Sequence, residues 1–270
     1  MRGLKPNATP QPPSPVRVKG MTLNLTVSSR LTLLTGLTAL LAACGSGTTT
    51  TPKPMPAPTE VAGLIPGQIT PFTAGDASSV HEGDGTAAGS LVDASGNLLT
   101  ALVSDQGMFN LSLPKVATMT AQPDASLLFN FPDVFGLCDT SSSTPTPAPK
   151  VYPINFLTTD TNKRIVSEID PSKANLNYRT WWFSATTVTV HFKGTGCIGL
   201  GNIDTTFALK RGWNLIIQET NPGVSTTYTA STQPTTAVPW QYASTAMSAA
   251  AIKYPNLLTP WKNLPQYKNR

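Results

Sequence analysis

The chain has 270 residues, of which only 12% are charged, and a formal net charge of +5. All fourteen Asp and Glu residues follow Cys44, whereas Arg2, Lys5, Arg17, Lys19 and Arg30 precede it, so the chain from Gly45 onward is formally neutral. With no Lys/Arg run longer than two in that part, the electrostatic footprint of a nucleic-acid binder is excluded, and the wealth of Thr and Ser favours strands and loops over helices.

The first element in chain order is Leu31 to Ala43, "LTLLTGLTALLAA", a run of 13 residues preceded by Arg30. A membrane-spanning helix needs roughly 20 apolar residues, so this run has the length of a signal-peptide hydrophobic region instead. It ends in Leu41-Ala42-Ala43-Cys44, followed by Gly45-Ser46. That ending resembles the lipobox of bacterial lipoprotein precursors. The resemblance implies removal of residues 1–43 as a signal peptide, whose start is Met1 or Met21, and attachment of a diacylglyceryl group to the Cys44 sulfur. An ordinary secretory signal and a membrane anchor are the competing readings. Gly45 to Thr59 holds four prolines, five threonines and no aromatic residue. Such a segment cannot bury a core and reads as a disordered tether joined to the lipidated Cys44, so that 44–59 forms one unit. With no aspartate at Gly45 or Ser46, the resemblance to lipoproteins further implies an outer rather than an inner membrane where the organism has both.

Residues 60–239 read as a β-rich domain, with 60–114 and 151–239 as two halves in the alternative. In Gly89 to Pro114 the tripeptides Ser95-Gly96-Asn97 and Asp105-Gln106-Gly107 suit tight turns. Met108 to Pro114 puts Phe109, Leu111 and Leu113 on one face. A three-stranded antiparallel unit is expected there. Its pattern looks like the carboxypeptidase-regulatory-like and immunoglobulin-type β-modules of envelope proteins. Residues 139–150, "DTSSSTPTPAPK", read as a disordered loop, followed by strands around Ile154–Leu157 and Ile165–Ile169. "TTVTVHFKG" sets Val188, Val190 and Phe192 against Thr187, Thr189 and His191, and Trp182 to Ser231 reads as a four-stranded meander. Residues 240–270 are expected to hold one short helix, Thr245 to Lys253, and an extended tail. The fold class is therefore all-β, an antiparallel sandwich or barrel-like module.

With Cys44 taken by lipid, Cys138 and Cys197 are an even pair in an exported chain and read as one disulfide. Continuing the Val188 register backward turns Trp182 inward. Trp181 and Phe183 then face outward as a surface able to stack on a sugar or a partner, unless another layer covers them. His81, Glu82 and Asp84 in "VHEGDG" lie beside glycines and read as a solvated turn. His191 reads as an exposed cross-strand residue. Asp93, Ser95 and Asn97 imitate a calcium loop, but its twelfth position is Ser104, and that of Asp160 is Pro171, where a bidentate Glu is required. No metal site is expected, nor is a cofactor, since G-x-S-x-G, H-E-x-x-H and the G-x-x-x-x-G-K-[ST] phosphate loop are absent from the sequence. The expectation is a non-enzymatic, lipid-anchored envelope protein whose partners are the membrane, through Cys44, and envelope proteins or polysaccharide. A motif-free envelope hydrolase built on Glu82, Asp84 and Asp93, and a carbohydrate-binding module using exposed aromatics, are the alternatives. A solute-binding protein is disfavoured by the lack of alternating strands and helices.

Overall fold

Alternation of small polar and large apolar side chains decides most of the chain. The computed structural model describes residues 60–83, 91–93, 95–121, 127–170, 175–243, 250 and 252–268. The leader, Cys44, the tether and Asp84 lie outside the described residues. The early strands are β1 (Leu64–Ile69), β2 (Ser79–Glu82), β3 (Thr100–Leu102), β4 (Met108–Ser112) and β5 (Phe129–Asn130). Then come β6 (Thr140–Thr144), β7 (Lys150–Ile154), β8 (Leu157–Thr159), β9 (Arg164–Glu168) and β10 (Leu176–Ser184). The last five are β11 (Val188–Cys197), β12 (Gly201–Leu209), β13 (Gly212–Asn221), β14 (Ser225–Ser231) and β15 (Val238–Tyr242). Among the described residues, α1 (Val116–Thr120) is an α-helix of five residues. The fold is all-β and sandwich-like, and the strands do not close into a barrel.

The centre is β10. It pairs antiparallel with β13 over nine residues, from Leu176↔Thr220 to Ser184↔Gly212. Its other edge is shared by β7 and β9. The strand order is β10-β13-β14-β12-β11-β6 rather than sequential, which corrects the expected meander. Only the β11–β12 and β13–β14 hairpins of that meander form. β12 meets β14 at a single parallel pair, Asn202↔Ser225, and then diverges. The β6-β11-β12 layer can thus leave the β10-β13-β14 layer and fold over it. The gap fills with rings: Trp182 stacks on Phe207 at 5.3 Å, Phe135 stacks on Phe192 at 4.0 Å, and Phe131 and Tyr228 close the cluster. Such ring pairs add stabilisation beyond the apolar area they bury.

The second face of β10 is covered as well. β1 pairs with β4 and, in parallel, with β15, bringing Trp240 onto Trp181 at 5.6 Å with their ring planes nearly parallel. Gly67 is required in β1, since a Cβ there would collide with the Phe109 ring and with Trp240 Cδ1. β4 follows its pattern, with Phe109 and Leu111 buried and Met108, Asn110 and Ser112 exposed. The expected three-stranded unit is not formed, however. β3 pairs with β2 and β4 with β1, rather than with each other.

Two further expectations are corrected. Residues 139–150 are not an irregular loop throughout: Thr140–Thr144 pairs with β11 from His191↔Thr144 to Thr195↔Thr140. The segment reads as loop because its side chains are small and mostly exposed, as suits an edge strand ended by prolines. Nor is the tail extended. Pro260–Asn263 and Pro265–Tyr267 are 3-10 turns, and Trp261 and Tyr267 each place a ring 4.9 Å from Phe129. Of the expected helix Thr245–Lys253, the described residues Ala250, Ile252 and Lys253 are helical.

Candidate functional site

The cysteine pair is the first sequence-derived site the fold brings together. Cys138 and Cys197 form a disulfide across 59 residues. It links the segment before β6 to the end of β11, the strand on which β6 pairs, so bond and ladder hold the same edge.

The aromatic surface is corrected. Trp181 and Phe183 are fully buried, and so is Trp182 between them. Strand alternation does send Trp181 and Trp182 to opposite sides, but both sides of β10 are covered. Trp181 donates through Nε1 to Gln233 Oε1 at 3.0 Å, and Phe183 packs its ring 5.5 Å from Trp213. Neither side chain is available to stack on a ligand.

The "VHEGDG" reading also changes. His81 and Glu82 are buried within β2 instead of solvated, because β2 lies between β3 and β8. Glu82 accepts from Tyr152 Oη at 2.8 Å and from the Leu91 backbone N–H at 3.0 Å, which compensates its desolvation. Asp93 accepts instead from the backbone N–H groups of Ser95 and Asn97, at 2.8 and 2.9 Å, and these bonds hold its carboxyl below the ordinary range, those from Asn97 most strongly. It closes a turn with Gly96 at φ +83. Asp160 is likewise held low by Ser78, which donates from both its hydroxyl and its N–H. Among the described residues no three His, Cys, Asp or Glu side chains stand close enough to hold a metal.

His191 lies on the exposed face of β11, and its Nε2 donates to Asp204 Oδ1 at 2.8 Å while Lys193 Nζ lies 3.6 Å from Oδ2. The His191 bond, with help from Lys193, holds the Asp204 carboxyl below its usual range. Glu168 behaves oppositely. Desolvation, reinforced by Asp170, raises its carboxyl above the ordinary value, and Gln241 Nε2 donates to it at 3.0 Å.

A cleft that no local motif announces lies where β12 and β14 part. It has a volume of about 410 Å³, within the range of small-molecule sites. Ala208, Leu215, Ala230 and Val61 supply apolar wall, Trp213 the inner end, and Lys210, Ser231 and Thr232 the polar rim. The small side chains at 208 and 230 leave the space. Asn214 and Gln233 also border it but are committed to the fold. Asn214 accepts from the Lys210 N–H at 2.8 Å and donates to the Lys210 carbonyl at 2.8 Å, while Gln233 bridges Trp181 and the Trp213 carbonyl. Lys210 is the one charged residue among those lining the cleft, so the site suits a small anionic or hydroxyl-bearing ligand with an apolar part. Sequence reading places a turn at Arg211-Gly212, yet the cleft depends on a divergence of β12 from β14 that begins nine residues before Arg211, at Asn202. No family model, no curated protein and no solved structure matches the chain.

Proposed function

We propose that the protein is an exported, lipid-anchored cell-envelope protein with a non-enzymatic binding role, fixed to the membrane through Cys44. The observation that carries this reading is the pairing of the other two cysteines. The Cys138–Cys197 bond is of a kind that persists in oxidising compartments outside the cytosol. It leaves Cys44, which ends the Leu41-Ala42-Ala43-Cys44 run, as the remaining cysteine of the three in the chain. The Pro/Thr tether that follows, in polyproline geometry, reaches about 45 Å and gives the β-module that much freedom of movement about its anchor. Absence of an aspartate after Cys44 favours the outer membrane where there is one. The cleft at Lys210 is the site this reading offers to a small envelope ligand.

Growing cells on an alkyne analogue of palmitate tests the anchor. The wild-type protein takes up the label and Cys44→Ala does not. Equal labelling of the two proteins contradicts the proposal.

A further inference from the structure

Four aliphatic side chains stand in solvent at one pole of the sandwich: Leu137, Ile198, Val224 and Ile252, exposed by 48, 42, 57 and 86%. They come from separate parts of the chain and are held together by the fold. The Ile198 N–H donates to the Leu137 carbonyl at 2.9 Å, and the disulfide joins the residue after Leu137 to the residue before Ile198. The β13–β14 turn carrying Val224 bonds to the β11–β12 turn through Gly223 N–H to Gly199 O at 3.0 Å. Tyr254, two residues beyond Ile252, lies over both turns, since a Cβ on Gly199 or Gly223 would meet its side chain. Apolar residues grouped at loop tips, rather than scattered singly, mark a contact surface.

We infer that this pole lies on the lipid surface to which the protein is anchored, with the four aliphatic side chains entering the headgroup boundary. The inference rests on the anchor at Cys44 proposed above. Two observations select lipid as the occupant. The chain from Ala250 to its end contains lysines and an arginine but no acid, and it places Lys253 beside Ile252 and Lys262 on the turn packed against Gly136. Asp133, nearby, is hydrogen-bonded to Tyr267 and Asn130, and Asp139 lies against Gly196. The basic segment complements anionic headgroups. The second observation is reach. Val61 pairs with Gly212, at the start of β13, whereas Val224 follows the end of β13. Ten strand residues separate the poles by roughly 33 Å. The fifteen tether residues span about 45 Å, enough for the far pole to turn back onto the same membrane. Tethering then supplies a high local concentration of lipid to a surface of modest intrinsic affinity.

The test places an environment-sensitive nitrobenzoxadiazole label at Val224→Cys in the full chain, reconstituted in vesicles of phosphatidylethanolamine and phosphatidylglycerol. The same label at Thr189→Cys, on the opposite pole, is the control. Emission from position 224 is expected to rise about twofold or more and to be quenched by doxyl-labelled lipid, that from 189 to stay unchanged, and Ile252→Asp to remove most of the rise. A label at 224 that behaves like the one at 189, or a rise that survives Ile252→Asp, overturns the inference. Flotation of the same samples separates the two failures. Protein that floats with a silent 224 label retains its anchor and loses only the docked pole, whereas protein that does not float loses both.

Discussion

Trp182→Ala destabilises the β-module by about 3–5 kcal/mol, the cost of truncating a fully buried tryptophan, and lowers its urea midpoint. Trp182 is 1% exposed and sits where the two layers are joined by rings. Its indole lies 5.3 Å from Phe207, 5.8 Å from Tyr228 and 5.9 Å from both Phe131 and Phe135. Four large neighbours cannot all move inward to fill the space a methyl leaves, so the cavity persists and the loss falls toward the upper end of that range. The indole N–H donates to Thr180 Oγ1 at 3.0 Å, and alanine also leaves that buried hydroxyl without its donor. Trp182→Phe keeps most of the ring contacts and recovers most of the stability. Denaturation followed by the fluorescence of the other tryptophans measures both variants. A cost below about 1 kcal/mol for the alanine variant contradicts the packing described, since only surface positions are that tolerant.

Cys138→Ala with Cys197→Ala, or reduction of the wild-type bond, costs about 4 kcal/mol in the chain-entropy account, because the bond closes a loop of 59 residues. The effect is local in its second consequence. β6 is an edge strand of exposed Ser and Thr side chains that buries little of its own. Its pairing with β11 is held by the ladder, by the Thr140–Thr195 hydroxyl contact at 2.6 Å and by the disulfide. Without the bond, amide protons of Thr140–Thr144 are expected to exchange with solvent well before those of β10 and β13. Hydrogen exchange read by mass spectrometry checks this. Uniform loss of protection across the molecule would show that the bond stabilises only through the unfolded chain. The same bond sets Leu137 and Ile198 side by side at the apolar pole, so on the inferred docking its reduction also weakens lipid contact there.

Much of the fold was readable where one face of a strand meets the core and the other meets water. β4 and β11 are such strands, and their period-2 patterns give the correct inward residues: Phe109 and Leu111 in one, Val190 and Phe192 in the other. The disulfide was readable because the number of remaining cysteines was two. β10 misled for a physical reason. "LNYRTWWFS" carries large side chains on both faces, and only tertiary structure tells whether one or two layers cover it. The meander failed similarly, since turn residues fix which strands are hairpins but not which hairpins become neighbours. β6 and the C-terminal turns were missed because their own side chains give little sign of what they pair with. "TSSST" has no apolar face of its own, and Trp261 and Tyr267 are isolated aromatics among prolines. For the site, His81 and Glu82 sit in a glycine-rich string that hides their burial between β3 and β8. The cleft at Lys210 is built from the divergence of β12 and β14, which no stretch of sequence encodes alone.

The proposed anchor is decided most directly by the intact mass of the mature protein extracted from cell membranes. The account predicts a chain that begins at Cys44 and carries a diacylglyceryl group on its sulfur, with Cys138 and Cys197 together two hydrogen atoms lighter than their reduced form. A mature chain that begins at another residue, or one that retains Cys44 as an unmodified thiol, contradicts it.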